Sequence, residues 1–327
     1  MVRQEKTNVG VIGLGIIGSR VAANLRSKGF HAWVWSRSPK PEPNFLASPS
    51  EVADASRFIQ IFVSDGAALI ETVTAMGPEL GPEHIVMNHA TVSPGETREA
   101  ARITQERHAR YLDAPFTGSR DAAQSGQLVF MVGGDAETLA AARPVLEANA
   151  SAILHVGGIG DGAALKVATN VIVGVSGAAY AEALALLSSS GVALEHLLEV
   201  LPHHAVRSPL ARMKIPNMIL DNFEPHFALK HMFKDIQIAL GMAAVAGLET
   251  PATAAFAGSA MAGIQKGLAD SDFSAIARLY PFPNPEAPLD EKYRPQPAST
   301  TSADTTAGKP SPGKPTPKRW GIFREKK

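Results

Sequence analysis

Apolar residues in the first half of the chain fall into two kinds of segment. Short continuous apolar runs, typical of strands buried on both faces, occur at residues 8–14, 31–35, 58–63, 84–88, 111–114, 127–132 and 153–156. Apolar residues at helical spacing occur between several of them, at residues 17–28, 67–76, 94–108 and 136–148. This alternation predicts a doubly wound α/β fold with a mostly parallel sheet, and an antiparallel or mixed part where two strands follow closely.

The pattern changes at residue 160. Residues 160–190 form a long Ala-rich run without a turn signal, and helical periodicity returns at residues 194–201, 230–247, 251–268 and 272–278. The second half is therefore predicted to be all-helical. We expect a Rossmann-type domain over residues 1–163, a helical domain over residues 164–280 and a separate segment over residues 281–327.

The last segment differs in composition. Residues 281–327 carry ten of the 24 prolines of the chain, with many Ser, Thr, Gly and Lys residues. The few apolar side chains cannot offset the entropy cost of ordering, so we predict disorder. Basic residues cluster at residues 309–327 around Trp320, Ile322 and Phe323. A solubilising tail is one interpretation, and weak docking to an acidic surface is the other.

Bulk composition limits the classes of function. Lys and Arg together number 31, as do Asp and Glu, so the charge balance favours neither nucleic acid nor a membrane as partner. The chain has no cysteine, which excludes disulfides and thiolate chemistry. The pair His203-His204 lacks a carboxylate or third histidine at ligand spacing, so no metal is expected. The N-terminus is charged, and no apolar run reaches the roughly 20 residues needed to span a bilayer, so we predict a cytoplasmic protein without membrane spans.

A glycine pattern lies between the first strand and the first helix. Gly13, Gly15 and Gly18 form Gly-x-Gly-x-x-Gly, and this context separates a dinucleotide fingerprint from a chance cluster. The first glycine permits a tight turn, the second lets a pyrophosphate approach the backbone, and the third allows close helix–sheet packing. The phosphates would lie at the helix N-terminus. The predicted loop also includes Leu14, Ile16 and Ile17.

The end of the second strand predicts which nicotinamide cofactor binds. NAD-binding versions place Asp or Glu there, whereas this chain has Trp-Ser-Arg-Ser-Pro-Lys over residues 35–40. Arg37 offers a planar fork to a 2′-phosphate, and Ser36, Ser38 and Lys40 can add donors or charge. NADP(H) is the predicted cofactor. The alternative is that Arg37 only projects into solvent.

Several further motifs occur together and in order. They are Asp113-Ala-Pro-Phe-Thr-Gly-Ser119 followed by Gly126-Gln-Leu and Gly133-Gly-Asp, then Gly160-x-Gly-x-x-x-Lys166-x-x-x-Asn170, then Phe227-Ala-Leu-Lys-His-Met-Phe-Lys-Asp235 with Asp272-Phe-Ser-Ala. This set resembles the β-hydroxyacid dehydrogenase family, related to 3-hydroxyisobutyrate dehydrogenase. The Thr-Gly-Ser-Arg and Phe-x-Leu-Lys-His versions look most like its NADPH-dependent glyoxylate and succinic semialdehyde reductase branch.

The resemblance implies a role for each matching residue. Lys166 would be the catalytic acid with Asn170 beside it. Substrate binding would involve Thr117, Gly118 and Ser119 at the carboxylate end and Phe227 and Asp235 at the other. Val63, Thr91 and Lys234 would contact the cofactor. The resemblance also implies a small carboxylate substrate and a homodimer or homotetramer.

Physical reasoning also selects Lys166. Hydride addition to a carbonyl carbon creates an alkoxide, and a positioned ammonium both stabilises it and supplies the proton. Lys166 and Asn170 are four residues apart in a predicted helix and therefore share one face. Asn170 can then orient Lys166 or the substrate oxygen.

Some residues depart from the family pattern, and several alternatives stay open. Ala90 stands where Ser is common, and Phe116 where Val is common and could narrow the pocket. His89 is unusual and either titrates near neutral pH or is a structural histidine. The alternative functions are an oxidising 3-hydroxyisobutyrate-type dehydrogenase, an imine reductase, which generally lacks the lysine, and a catalytically silent NADPH-binding module.

Overall fold

The computed structural model describes residues 7–281 and Tyr293. The predicted disorder and docking role of residues 281–327 therefore fall almost wholly outside the described residues. The first half forms one eight-stranded sheet. Its strands are β1 Asn8–Ile12, β2 His31–Trp35, β3 Phe58–Ile61, β4 Ile85–Asn88, β5 Arg110–Asp113, β6 Phe116–Thr117, β7 Leu128–Gly133 and β8 Ala150–Gly157.

The strand order confirms the predicted α/β class. Strands run β2-β1-β3-β4-β5-β7-β6, and β8 also pairs with β7. The first five strands are mutually parallel, β7 is antiparallel to both β5 and β6, and β8 is parallel to β7. The predicted antiparallel portion is therefore present, where β5 and β6 follow closely along the chain.

Six helices accompany the sheet: α1 Gly18–Ser27, α2 Pro49–Asp54, α3 Gly66–Met76, α4 Pro94–Gln105, α5 Arg120–Gln124 and α6 Ala136–Leu146. Two apolar cores form in this half of the chain, and successive residues of β1 belong to different cores. Val11 belongs to one core and Ile12 to the other. Burial on both faces explains why the strands appear in the sequence as continuous apolar runs.

The second half is helical, as predicted. Its helices are α7 Asp161–Ser189, α8 Glu195–Val200, α9 Pro209–Ile219, α10 Leu229–Val245 and α11 Pro251–Gln265, followed by the 3₁₀ segment Phe273–Leu279. Two glycines let α7 pack closely in this bundle. A Cβ at Gly174 would lie 2.7 Å from the Phe256 ring, and one at Gly177 would lie 2.6 Å from the Phe273 ring.

Three helices were not predicted from the periodicity: α2, α5 and α9. The first two are six and five residues long, too short for a helical period to be recognised. Helix α9 contains two prolines. Pro209 lies at the start, where a missing N–H costs nothing, and Ser208 caps this end by accepting a hydrogen bond from the Ala211 N–H. Pro216 lies in the second half of the helix. Proline usually indicates the end of a helix, but α9 continues past it.

Helix α7 corrects one expectation from the sequence. It has 29 residues with a window of mean hydropathy 1.7, which is long and apolar enough by these criteria to cross a bilayer. Gly, Ser and Thr interrupt its apolar residues, so the sequence here has no continuous apolar run of about 20 residues. Only 22% of that window is buried, and Ile172 and Leu186 are 67% and 69% exposed. One such helix is weak evidence for a membrane span. The exposed side chains of α7 nevertheless form an apolar surface.

Candidate active site

The Gly-rich loop has the shape that a bound pyrophosphate requires. Gly13 has φ +94°, and a Cβ there would lie 2.2 Å from the Phe62 carbonyl oxygen. A Cβ at Gly18 would lie 1.9 Å from the Gly13 oxygen, whereas one at Gly15 would have nothing within 4 Å. The outer two glycines are thus needed for packing, and the middle one leaves the backbone open to a ligand. Of the other loop residues, Leu14 is buried, Ile17 is half-buried and Ile16 is exposed.

The residues after β2 lie beside this loop. Arg37 and Ser38 are exposed, while Ser36 is buried and donates its hydroxyl to the Ser38 carbonyl at 2.6 Å. The Lys40 ammonium donates to the Leu14 carbonyl, so it lies over the Gly-rich loop. Residues 35–40 include no carboxylate, and the carboxylate of Asp65, before α3, interacts electrostatically with Arg37. The arrangement accommodates an anionic group near Arg37.

A chain of polar contacts joins the sheet to α7 and α10. Lys234 Nζ donates to the Thr91 carbonyl at 2.5 Å, and lies 2.8 Å from Asp235 Oδ1 in an ion pair. Asn170 Nδ2 donates to Asp235 Oδ2 at 2.6 Å. Lys166 precedes Asn170 by one helical turn and is half-buried. The structure therefore brings together the predicted Lys166, Asn170, Lys234, Asp235 and Thr91.

Burial changes the chemistry of Lys166. Desolvation lowers the pKa of its ammonium, while Asp235 opposes this shift and Lys234 adds to it. A lower pKa weakens the hold of Lys166 on its proton and makes it a better general acid. Asp235 is itself only 2% exposed, and both of its oxygens face side chains of this protein. Its contacts are those of a residue that orients Asn170.

The predicted substrate loop follows β5. Thr117, at the end of β6, is exposed, and Gly118 has φ +139°. A Cβ at Gly118 would lie 2.9 Å from the Leu128 side chain, so glycine fits this turn best. Ser119 Oγ caps α5 by accepting the Ala122 N–H at 3.2 Å, which leaves its hydroxyl proton to donate. Val63, after β3, and Phe227, before α10, are half-buried.

Asp113 is an important residue that the sequence reasoning did not assign. It is fully buried at the end of β5, directly before the substrate loop. Its Oδ1 accepts the Gly160 N–H at 3.1 Å and its Oδ2 accepts the Ala163 N–H at 2.9 Å. Burial raises the pKa of this carboxyl to about 6. Asp113 thus fixes the N-terminus of α7 one turn before Lys166. The sequence signal for this role is a carboxylate at the end of a buried strand, because a buried charge needs hydrogen-bonding partners.

His89 is structural in this arrangement. It is 2% exposed, its Nδ1 lies 2.7 Å from the Ala114 carbonyl, and its ring stacks on Phe62 at 4.5 Å. Burial lowers its pKa to about 4, so it stays neutral near pH 7. The Nδ1 contact requires the tautomer with a proton on that nitrogen. Within residues 7–281, no group of three or more potential ligands could hold a metal ion, and His203 and His204 are exposed.

Known proteins resemble both halves of the chain. Residues 8–158 match the model of the NAD binding domain of 6-phosphogluconate dehydrogenase. Residues 160–280 match the model described as the NAD-binding part of NADP-dependent 3-hydroxyisobutyrate dehydrogenase.

Full-length relatives share this organisation. Glyoxylate/succinic semialdehyde reductase 2 of Arabidopsis thaliana, a chloroplastic protein, is 30% identical over 82% of this chain and 78% of its own length. Reductase 1 of the same plant is 29% identical over 84% of this chain and 98% of its own. The 3-hydroxyisobutyrate dehydrogenase of Mycobacterium tuberculosis, solved with L-serine, is 27% identical, has a TM-score of 0.78, and covers 84% and 99% of the two chains.

Proposed function

Because this chain belongs to the β-hydroxyacid dehydrogenase family of nicotinamide-dependent oxidoreductases, we propose that it is an NADPH-dependent reductase of a small aldehyde-acid, of the glyoxylate or succinic semialdehyde type. The two plant relatives carry that activity in their names. The observation that supports the proposal most directly is the desolvated Lys166 beside Asn170, which Asp235 holds in place.

The side chains have distinct roles in this proposal. Thr117 and the backbone at Gly118 bind the substrate carboxylate, which turns the carbonyl oxygen towards Lys166. The bound nicotinamide supplies the hydride. Lys166 stabilises the developing negative charge on the carbonyl oxygen and then donates its proton to it. Asn170 orients the oxygen or the ammonium, and its own orientation is fixed by Asp235.

The preference for NADPH depends on the residues after β2. No carboxylate stands at residues 35–40 to repel a 2′-phosphate, and the exposed Arg37 can pair with it through two parallel hydrogen bonds. The open face at Gly15 and the N-terminus of α1 fit the pyrophosphate. These residues together would hold the cofactor.

Oxidation of a 3-hydroxyisobutyrate-type substrate is the second candidate. The same residues serve that reaction in reverse, with a deprotonated Lys166 accepting the hydroxyl proton. The lowered pKa of Lys166 helps this direction as well, because it increases the neutral fraction. The likeness to a 3-hydroxyisobutyrate dehydrogenase structure is the observation in its favour.

The test measures oxidation of NADPH with glyoxylate, succinic semialdehyde, methylglyoxal and an imine, and reduction of NADP⁺ with 3-hydroxyisobutyrate. We expect the fastest turnover with an aldehyde-acid. Turnover restricted to the hydroxyacid would favour the second candidate. Turnover restricted to the imine would contradict both, and no turnover with any substrate would favour a silent NADPH-binding module.

The Lys166→Ala variant tests the proposed acid. It should reduce turnover roughly 10²- to 10⁴-fold while NADPH affinity, measured by fluorescence, changes little. Lys166→Arg should restore only a small part, because guanidinium hardly releases a proton. Lys266→Ala, at the exposed end of α11, is the matched control and should match the wild type. Retention of more than about a tenth of the hydride-transfer rate by Lys166→Ala would contradict general-acid catalysis.

A further inference from the structure

The helical half contains a buried ion pair that the proposed reaction does not use. Lys214, on α9, and Asp272 have side chains only 3% and 2% exposed, and Nζ lies 2.7 Å from Oδ1. Removing two charges from water costs free energy that their attraction often fails to offset, so stability alone explains such a pair poorly. The other contacts of Asp272 indicate what it does.

The Asp272 carboxylate accepts five hydrogen bonds. Its Oδ1 receives Lys214 Nζ together with the N–H and hydroxyl of Ser274, at 2.7, 3.1 and 2.7 Å. Its Oδ2 receives the consecutive N–H groups of His226 and Phe227, each at 3.1 Å. Burial alone would raise the pKa of Asp272, but Lys214 and the hydrogen bonds from Ser274 hold it below the usual value. Asp272 Oδ2 therefore binds only the backbone that leads into α10 among these partners.

Backbone bonds extend this attachment on both sides. The Leu229 N–H donates to the Ser271 carbonyl and the Phe273 N–H donates to the Phe227 carbonyl, each at 2.9 Å. Together these contacts fix where α10 begins. Lys234 and Asp235 lie in the second turn of that helix, where they contact Thr91 and Asn170. The attachment therefore also determines the position of the residues that orient Asn170.

Aromatic contacts connect the ion pair to the side chain of Phe227. Lys214 Nζ lies 4.8 Å from the centroid of the Phe273 ring, and the Phe273 and Phe227 rings meet in a T-shaped contact with centroids 6.5 Å apart. Phe273 in turn packs against Gly177 of α7. The Phe227 ring is thus placed by Phe273, and its backbone by Asp272.

We propose that Lys214 and Asp272 are positioning residues that fix the Phe227 wall of the substrate site and thereby set the length of aldehyde-acid that is reduced. The proposal rests on the proposed function and on the role that the family resemblance gives Phe227, at the end of the substrate away from the carboxylate. A fixed ring holds a short substrate within reach of Lys166 and obstructs a longer one. A released ring loses both effects, so discrimination between lengths decreases.

The experiment compares the wild type with Lys214→Met, which removes the charge but keeps an apolar chain over Phe273. The ratio of kcat/KM for glyoxylate to kcat/KM for succinic semialdehyde should fall about tenfold. Hydrogen exchange followed by mass spectrometry should show faster exchange in peptides covering residues 225–229. Arg278→Met is the matched control, since it breaks the more exposed pair with Asp221 in the same half of the chain. That variant should change neither quantity.

Two further variants guard against misfolding and indirect effects. Phe227→Leu should reproduce the shift in the ratio, and Lys214→Met should add little to it, because both act on the same wall. If Lys214→Met does not fold, Ser274→Ala removes one donor to Asp272 and should produce a smaller shift in the same direction. A folded Lys214→Met or Ser274→Ala variant with an unchanged ratio would overturn the inference, as would unchanged exchange at residues 225–229.

Failure of the proposed function would give a different result. A wild-type protein that reduces no aldehyde-acid would overturn that function together with the role in substrate length. Faster hydrogen exchange in Lys214→Met would then still identify the pair as what holds the start of α10. Normal turnover with an unshifted ratio would overturn the inference alone.

Discussion

Arg37 lies exposed after β2, where a carboxylate would favour NAD. Arg37→Asp removes the two charge-assisted hydrogen bonds that the guanidinium would donate to a 2′-phosphate, and it introduces repulsion. NADPH should therefore bind about 10- to 100-fold more weakly. NADH affinity should change little, because NADH lacks that phosphate. Fluorescence titration with both cofactors measures the two dissociation constants. An unchanged ratio would mean that Arg37 only projects into solvent.

His89 gives a test based on stability. Its pKa is about 6.5 in an unfolded chain and about 4 when buried, so only the unfolded state gains its proton between those values. The contribution of neutral His89 to stability is therefore complete above pH 6.5. As the pH falls from 6.5 to about 4, this contribution is lost, and the free energy of unfolding decreases by roughly 3 kcal/mol.

The variant His89→Phe removes this titration and keeps a ring stacked on Phe62. It should be less stable at pH 7, because the Ala114 carbonyl loses its donor. The difference from the wild type should shrink as the pH falls from 7 to 4. Urea unfolding at several pH values measures it. A difference independent of pH would show that His89 titrates in the same way in both states.

Single residues also show how far the sequence can be interpreted. The roles of Gly13 and Gly18 followed from local context, since a strand, a tight turn and a helix are neighbours in sequence. The Asn170–Asp235 bond joins residues 65 positions apart. Physical reasoning about helical faces selected Lys166 and Asn170, whereas only the family resemblance named Asp235. The attachment of α7 by Asp113 became visible with the tertiary structure.

Among the elements, the junction of β5 and α7 has a testable role. Asp113 accepts the N–H groups of Gly160 and Ala163 at the start of α7, and protonation of its carboxyl replaces one acceptor oxygen with a donor. Turnover should therefore decrease as the pH falls through about 6. The raised pKa means that the folded state binds this proton more tightly than the unfolded state does, so this protonation does not destabilise the fold. Activity should therefore fall around pH 6 while protonation of Asp113 leaves the protein folded.

Asp113→Asn provides the test at this junction. The amide has one acceptor oxygen, so kcat should be about tenfold lower at pH 8, as expected for loss of one bond to a charged acceptor. The step near pH 6 should be absent. Profiles of kcat against pH for both proteins, with circular dichroism as a check of folding, measure this. A step that persists in the variant would assign it to another group.

The elements differ in how readily they can be predicted. Strands with continuous apolar runs were located to within a few residues at each end, and so were the helices of ten or more residues other than α9. Helix α9 was missed because its two prolines usually signal a break. The helix predicted over residues 272–278 is the 3₁₀ segment Phe273–Leu279, and Asp272 caps its start by accepting the Ser274 N–H.

At the scale of the whole molecule, the exposed apolar surface of α7 suggests self-association. Ile172 and Leu186 are 67% and 69% exposed on a helix whose central window is 22% buried. Ala179 is exposed between them, so exposed apolar residues recur every seven positions along one face of α7, and such a face usually marks an interface. We propose a homodimer or homotetramer in which α7 packs against a second copy.

Light scattering coupled to gel filtration tests this assembly. Ile172→Glu and Leu186→Glu should each shift the wild-type oligomer towards the monomer, because an interface cannot easily bury an unpaired carboxylate. Leu154→Glu, on strand β8 with 49% exposure, is the matched control and should leave the mass unchanged. A monomeric wild type at micromolar concentration would contradict the proposal.

Helix α7 has a consequence for how ligands enter and leave. Its N-terminus is fixed to the sheet by Asp113, and its middle is fixed to the helical bundle at Gly174 and Gly177. A continuous helix that is anchored in both halves leaves no hinge between them. We therefore expect little rotation of one half against the other when ligands exchange.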